Sequence, residues 1–380
     1  MTIHWCGTGL SALPGLRRLI TEGHDVTVWN RTLETAQKAV GDLTNRVRAF
    51  DFDVLSAEVV EGDLVVSMLP GDWHVPLAEM CINKGAHFVS SSYISPEMRD
   101  LHAKALLRGV ACVNEIGLDP GIDHLMAHHL VADYSGSKAF NPENDLSFLS
   151  YCGGIPKQPN PFRYKFSWSP LGVLKALRSP SRSIRDFAEW NVARPWDALS
   201  SYTAPLPSLE TFEVYPNRDS LPFMDDYGFD PGWRVKEFVR GTLRLEGWSE
   251  AWRDVFTEIE TLTGEVGEAR MREMSEEFWR NNAYDEGEPD RVVLCVSLKA
   301  ERGADVVWHK TFVMDAWGDA QGTAMARLVS IPVSMAVEAV LAGDIAPGVS
   351  PAPDDPALVD RFLRKVDNLA QHLQVVDHLA

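Results

Sequence analysis

The stretch Ile3–Ala12, IHWCGTGLSA, decides the fold of this chain. Its first four residues read as a short buried strand, and GTGLSA (Gly7–Ala12) follows at once. Leu10, Leu13, Leu16, Leu19 and Ile20 then recur at three- or four-residue spacing, which is one helical face, and Gly23 ends it. A GxGxxA turn between a strand and a helix lets backbone approach a pyrophosphate. The helix start adds unpaired amides and a partial positive charge. Gly7, Gly9, Leu10, Ser11 and Ala12 are therefore candidate cofactor contacts. Alone, the motif also fits a chance glycine turn.

Further strands and helices follow in alternation. Asp25–Trp29 reads as a strand, Arg31–Val40 as a helix, Leu64–Leu69 as a strand ending at Pro70, and Val75–Lys84 as a helix. His87–Ser90 is a strand, Pro96–Leu107 a helix and Val110–Val113 a strand. This alternation predicts an α/β fold with an N-terminal, doubly wound parallel Rossmann sheet. The second strand ends in Asn30 and Arg31 rather than a carboxylate. A guanidinium pairs bidentately with a 2′-phosphate, which favours NADP (NADPH). If Arg31 is only a solvated helix-start residue, NAD remains the alternative. Asn114–His124, NEIGLDPGIDH, packs turn residues and carboxylates at the end of the Val110–Val113 strand. Such a run is either an acidic chain reversal or a carrier of carboxylates to the mouth of the sheet, where α/β folds bind ligands.

After Leu130 the rhythm changes. Leu146–Cys152 reads as a strand leading into Gly153 and Gly154. Thr211–Tyr215, Trp233–Val239 and Thr242–Leu245 read as strands of a second sheet. Glu250–Tyr284 reads as charged helices, and Arg291–Lys299 and Val306–Val313 as paired strands turning at Gly303. A helix over Gly322–Ala342, a proline-rich linker over Pro347–Pro356 and an amphipathic helix over Ala357–Leu373 close the chain. The expected domains are 1–123, completed by 322–380, and a mixed α/β substrate domain over 124–321 with a small helical insertion at about 250–290.

The 380 residues are 45% hydrophobic and 24% charged, with a net charge of −18, so no basic surplus exists for a nucleic-acid partner. The five cysteines form no CxxC pair, which fits a reducing cytoplasm. The chain enters a candidate strand at Ile3, so no signal peptide is expected. The apolar tract Met325–Leu341 is interrupted by Arg327, Pro332 and Glu338, and no membrane association is expected. His124 and His128 share a helix face, but without an HExxH pattern or a third ligand no metal site is expected.

GTGLSALPGL (Gly7–Leu16), SSSYISPEM (Ser90–Met98), NEIGLDPGIDHLMA (Asn114–Ala127), SYCGGIP (Ser150–Pro156), YKFSWSPLGVL (Tyr164–Leu174), YPNRDSLPF (Tyr215–Phe223) and RGTLRLEGW (Arg240–Trp248) occur in this order. Together they resemble the glutamate-forming saccharopine dehydrogenases, also called saccharopine reductases. The resemblance extends to the final helix. It implies a Rossmann domain, a mixed α/β substrate domain and a small helical domain, with the Gly322–Ala342 helix returning to the nucleotide domain. It implies oxidation of saccharopine at a C–N bond, giving glutamate and 2-aminoadipate 6-semialdehyde, or the reverse.

By the same resemblance, Arg218 and Arg244 bind substrate carboxylates, and Thr242 and the backbone of Leu243 add hydrogen bonds. Ser91, Ser92 and Tyr93 lie near nicotinamide and substrate, and Ser167 and Trp168 form the far pocket wall. Leu69, Pro70, Ser90, Ser91, Leu118 and Asp119 join the cofactor contacts. Asp119 is the candidate for proton transfer, with Tyr93 and Cys152 as helpers. Its rival role is anchoring the substrate ammonium, as core packing is for Cys152 and a surface salt bridge for either arginine. A small-molecule substrate and a homodimer through the second domain's sheet complete the expectation.

Two features depart from the family pattern. Tyr134–Asn144 is longer than usual and reads as a surface insertion, and Glu246 stands where an aromatic residue is common, affecting either the pocket rim or only a strand face. Two other functions compete. A polyamine-forming imine reductase of the carboxynorspermidine or homospermidine type is disfavoured by Arg218 and Arg244. A non-catalytic nucleotide-binding protein is disfavoured by retention of Asp119 and both arginines.

Overall fold

All four residues of β1, Ile3–Cys6, are buried, as are those of β4, Leu64–Ser67. Continuous apolar runs of this kind suit parallel strands covered on both faces. The computed structural model describes residues 1–380, in two compact units: Met1–Leu125 with Ala326–Val366, and Met126–Met325 with Asp367–Ala380.

In the first unit, β1 is followed by α1 (Leu13–Thr21), β2 (Val26–Asn30), α2 (Leu33–Val40), β3 (Val47–Ala49) and α3 (Phe52–Glu58). After β4 come α4 (His74–Lys84), β5 (His87–Ser90), α5 (Pro96–Asp100), α6 (His102–Arg108) and β6 (Ala111–Val113). Helix α7 (Ile122–Ser135) leads into the second unit. There the chain forms β7 (Asp145–Pro156), α8 (Pro170–Leu177), β8 (Ser181–Arg185), β9 (Ala188–Val192), β10 (Ser200–Ala204), β11 (Glu210–Pro216), α9 (Pro222–Asp226) and β12 (Arg234–Leu245). The helices α10 (Trp248–Ala251), α11 (Arg253–Thr261) and α12 (Gly264–Asn282) precede the hairpin β13 (Asp290–Arg302) and β14 (Asp305–Trp317). Helix α13 (Ala324–Ala342), β15 (Gly348–Ser350) and α14 (Pro356–Asp367) return to the first unit, and β16 (His372–Asp377) ends in the second.

The first sheet has the order β15-β6-β5-β4-β1-β2-β3, and every pairing is parallel. Its switch point lies between β1 and β4, where chain connections leave in opposite directions and ligands bind. Helix α13 packs on α1 within this unit. A Cβ at Gly15 would meet the Ser330 carbonyl oxygen at 1.9 Å, and the Gly15 amide donates to Ser330 Oγ at 2.8 Å. Farther along, Arg18 donates to Ser334 Oγ and Glu338. The apolar stretch of α13 is mostly buried in the protein.

The second sheet runs β10-β11-β12-β7-β13-β14-β16, with the β8–β9 hairpin attached to β12. The β12–β7 pairing is parallel and the others antiparallel, so the sheet is mixed. Along β7 burial alternates, and one face joins a core of Ile155, Val214, Leu243, Leu245, Val293 and Cys295. The helices α8, α11 and α12 build a second core of aromatics around Tyr164, Phe166, Trp248 and Trp252.

Several expectations change. Helix α1 begins at Leu13, because Leu10–Ala12 form a turn closed by Ala12 N donating to Gly9 O, and Leu10 is exposed. Strand β3 and helix α3, the latter capped by Asp51, are additional. The Pro96–Leu107 helix is two helices meeting at Leu101. Strand β7 continues through Gly153 and Gly154, and the Trp233–Val239 and Thr242–Leu245 segments are one strand. The proline-rich linker holds β15, paired with β6. The final helix stops at Asp367, and residues 367–380 belong with the second unit, because β16 pairs antiparallel with β14. The Tyr134–Asn144 segment lies at the surface as read, anchored where Asn144 Nδ2 donates to the Tyr134 hydroxyl at 3.0 Å and to Ala139 O at 3.0 Å. Glu246 is exposed just beyond β12, outside the strand's paired face.

Candidate active site

At the switch point of the first sheet a cleft of about 780 Å³ is lined by Gly7, Thr8, Gly9, Asn30, Arg31, Leu69, Pro70 and neighbours from α3 and the β4 loop. Gly7 has φ +103°, and a Cβ there would lie 2.7 Å from the Met68 carbonyl oxygen, so only glycine fits the turn. A Cβ at Gly9 would meet nothing within 4 Å, leaving that backbone open to a ligand. Thr8 N donates to Asn30 Oδ1 at 3.2 Å, and Asn30 Nδ2 to Thr32 O at 2.8 Å, so Asn30 braces the turn.

The start of α1 carries no side-chain cap and no acidic residue in its first turn. Of its first-turn amides, Pro14 has none and Gly15 donates to Ser330 Oγ, so the Leu13 amide and the glycine turn before it are what remain for an anion. The Thr8 hydroxyl is buried without a partner. Arg31 is exposed on the cleft wall and pairs with no carboxylate, whereas Asp51 in the same cleft turns one oxygen to the amides of Asp53 and Val54. These residues fit a dinucleotide: the glycine turn, Thr8 and the Leu13 amide suit the pyrophosphate, and Arg31 a 2′-phosphate.

The turns after β5 and β6 are tied together. The Glu115 amide donates to Ser92 O at 3.0 Å, and the Ile94 amide to Glu115 Oε1 at 2.7 Å. Glu115 Oε2 also meets His124 Nε2 at 3.1 Å, in a buried pair. Gly117 and Gly121 close the Asn114–His124 turn, where a Cβ on Gly121 would lie 2.2 Å from Gly117 O. This frame carries Asp119, whose Oδ1 accepts from the Tyr93 hydroxyl at 3.0 Å. Ser90 is buried and its Oγ accepts from Ser92 N, Ser91 abuts Gly117, and Leu118 is buried in the turn.

His74, which the sequence did not single out, bridges Ser67 Oγ at 2.9 Å and Ser92 Oγ at 2.8 Å, joining the ends of β4 and β5. Burial lowers its pKa to about 4. It is therefore neutral near pH 7, with one ring nitrogen donating and the other accepting. Of the other histidines, His128 packs edge-on against Tyr227 and His129 against Phe312.

In the second unit, strand alternation puts Arg240, Thr242 and Arg244 on one face of β12. Thr242 pairs with Cys152 of β7 and Tyr215 of β11. Arg244 is 5% exposed. Its guanidinium lies 4.9 Å from the Tyr164 ring centre, 5.4 Å from Trp248 and 5.7 Å from Tyr215. It donates to Leu243 O at 3.2 Å, Nε has no partner, and no carboxylate pairs with it. A buried guanidinium without a counter-charge costs several kcal/mol, which three aromatic faces offset only in part. The same charge is a ready receptor for a ligand carboxylate.

Ser167 is buried beside Gly154, and Trp168 Nε1 donates to the Tyr164 hydroxyl at 3.1 Å. Burial raises the Tyr215 pKa, with neighbouring Arg244 acting against it.

Of the expected substrate contacts, Arg218 lies at the surface and Leu243 offers its backbone. Arg218 is exposed, in a left-handed turn (φ 57°) after β11, because its carbonyl must accept from the Arg182 amide at 2.8 Å. The buried arginine of that neighbourhood is Arg240, over the Phe223 ring at 3.9 Å. The alternating pattern R-x-T-x-R was the sequence signal for it. The Leu243 side chain points into the opposite core, so only its backbone reaches the Arg244 face.

A parallel sheet with this glycine turn and an anion-ready helix start, joined in one chain to a carboxylate receptor, defines a dinucleotide-dependent oxidoreductase of acidic substrates. Residues 3–113 match the saccharopine dehydrogenase NADP binding domain, and residues 117–369 the saccharopine dehydrogenase C-terminal domain. The chain belongs to the saccharopine dehydrogenase family. It is 30% identical to the saccharopine dehydrogenase [NADP(+), L-glutamate-forming] of Pyricularia oryzae, across 95% of both chains. The protein of the same description from Saccharomyces cerevisiae is also 30% identical across 95% of both. A solved structure of the L-Glu-forming saccharopine dehydrogenase from Saccharomyces cerevisiae superimposes with a TM-score of 0.83 at 26% identity, covering 99% of each chain.

Proposed function

We infer that this chain interconverts saccharopine with L-glutamate and 2-aminoadipate 6-semialdehyde, acting on a CH–NH bond with NADP(H), in lysine metabolism. The observation that carries the reading from the site is Arg244, a buried guanidinium that pairs with no carboxylate of its own chain. Saccharopine carries three carboxylates and a secondary amine. NADP, when bound, supplies hydride transfer at the C–N carbon.

The chain's own residues then bind, orient and move protons. Arg244 takes a substrate carboxylate, with Thr242 beside it. Ser167 and Trp168 wall the pocket. Asp119, steadied by the Tyr93 hydroxyl, handles the protons exchanged among the amine nitrogen, the attacking water and the carbinolamine oxygen, while the carbon exchanges hydride with the cofactor. Cys152, across from Thr242, assists on the sheet face. The proposal includes a cytoplasmic homodimer formed through the second sheet, whose outer strands β10 and β16 each leave one backbone edge unpaired within the chain.

Purified protein given saccharopine and NADP generates the absorbance of reduced nicotinamide. Absence of that signal with either NADP or NAD refutes the activity. Sedimentation at micromolar concentration tests the dimer.

A further inference from the structure

Three buried donors lack partners in this part of the second unit: Arg244 Nε, Trp248 Nε1, whose ring lies 5.4 Å from the Arg244 guanidinium, and the Tyr284 hydroxyl, which shares Tyr164 as a neighbour with Arg244. Native interiors rarely leave such groups unpaired, and a cluster of them points to a missing acceptor. Tyr284 comes from the segment just after α12. The Phe166 amide donates to Asn282 O at 3.1 Å, and Phe166 bridges Ala283 in parallel, which sets Tyr284 in register with Ser167. Ser167 abuts Gly154, and Tyr164, two residues before Phe166, carries the ring nearest the Arg244 guanidinium. Burial, with Asp290, Tyr164 and Glu288 nearby, pushes Tyr284 ionisation far up, so the group stays an O–H donor.

We propose that Tyr284 is a specificity-determining residue, its hydroxyl donating a hydrogen bond to the carboxylate end of the substrate that Arg244 receives. This deepens the activity proposed above and rests on it. The helical insertion thereby contributes to substrate choice, and the aromatic surroundings turn from packing into a polar-tipped receptor for one carboxylate.

The test is steady-state kinetics of wild type and Tyr284→Phe in the reductive direction. The Michaelis constants for glutamate, 2-aminoadipate 6-semialdehyde and NADPH are measured separately, alongside thermal melting. Loss of one hydrogen bond to a charged group raises the constant for one carboxylate-bearing co-substrate by about tenfold or more. The constants for NADPH and the other co-substrate, kcat and the melting temperature stay at wild-type values, which a merely structural hydroxyl would not produce. An active wild type with unchanged constants in Tyr284→Phe overturns the role alone, as does a variant whose constants for all three ligands rise together. A wild type inactive with all three overturns the activity, and the role with it.

Discussion

Replacing Arg244 by methionine separates binding from stability, because the guanidinium is costly to the empty protein and useful only to a ligand. The substitution removes three cation–aromatic contacts, at 4.9, 5.4 and 5.7 Å, and one bond to Leu243 O. At about 0.5–1 kcal/mol for each ring and about 1 kcal/mol for the bond, the loss is roughly 2.5–4 kcal/mol. Against this stands the desolvation of a buried, unpaired cation, itself several kcal/mol, while the flexible thioether refills most of the space. The two nearly cancel, and Arg244→Met melts within about 5 °C of wild type in the absence of substrate.

Binding responds differently. A bidentate arginine–carboxylate contact is worth about 3 kcal/mol or more, so the Michaelis constant for saccharopine rises more than about 100-fold. Melting curves with and without saccharopine at saturating NADPH, together with kinetics, read both quantities. Saccharopine raises the melting temperature of wild type and not of the variant. A variant that retains the wild-type Michaelis constant, or one that melts more than about 10 °C lower without ligand, refutes the reasoning.

Arg31→Ala lowers kcat/KM with NADP by about tenfold or more and leaves NAD kinetics unchanged, since only NADP carries the extra phosphate. Equal losses with both cofactors remove Arg31 from that role. His74 makes stability depend on acid: its pKa is lowered to about 4 from 6.5, so between those values the unfolded chain takes up a proton that the folded chain refuses. Its contribution is complete above pH 6.5 and is lost as pH falls towards 4, on the order of 3 kcal/mol. Urea unfolding across this range shows a shallower acid loss for His74→Gln, and identical slopes would contradict the assignment.

The features legible in the sequence were local ones. β1, β4 and β5 are short apolar runs bounded by turn residues, and Gly7 and Gly9 lie in the one setting where a tight turn meets a helix start. What stayed hidden depends on distant partners. Strand β15 sits in a proline-rich segment and becomes a strand only by pairing with β6, while His372 and Leu373 at the start of β16 read as the tail of an amphipathic helix until β14 is beside them. His74 looks like a helix-start residue, and its role arises from Ser67 and Ser92 on separate strands. Arg218 was singled out by its motif, whereas the strand alternation of Arg240, Thr242 and Arg244 was a physical signal for a shared face.

The order in which the backbone visits its two units governs how the protein is made. Residues 326–366 complete the first unit and 367–380 the second, so neither sheet has its full set of strands until the C-terminal region has been synthesised. During translation the parallel sheet waits, with β6 open, for β15, and the mixed sheet waits longer still for β16. Both units therefore finish almost together, and a fragment cut at either crossing point exposes a naked strand edge rather than yielding an autonomous module.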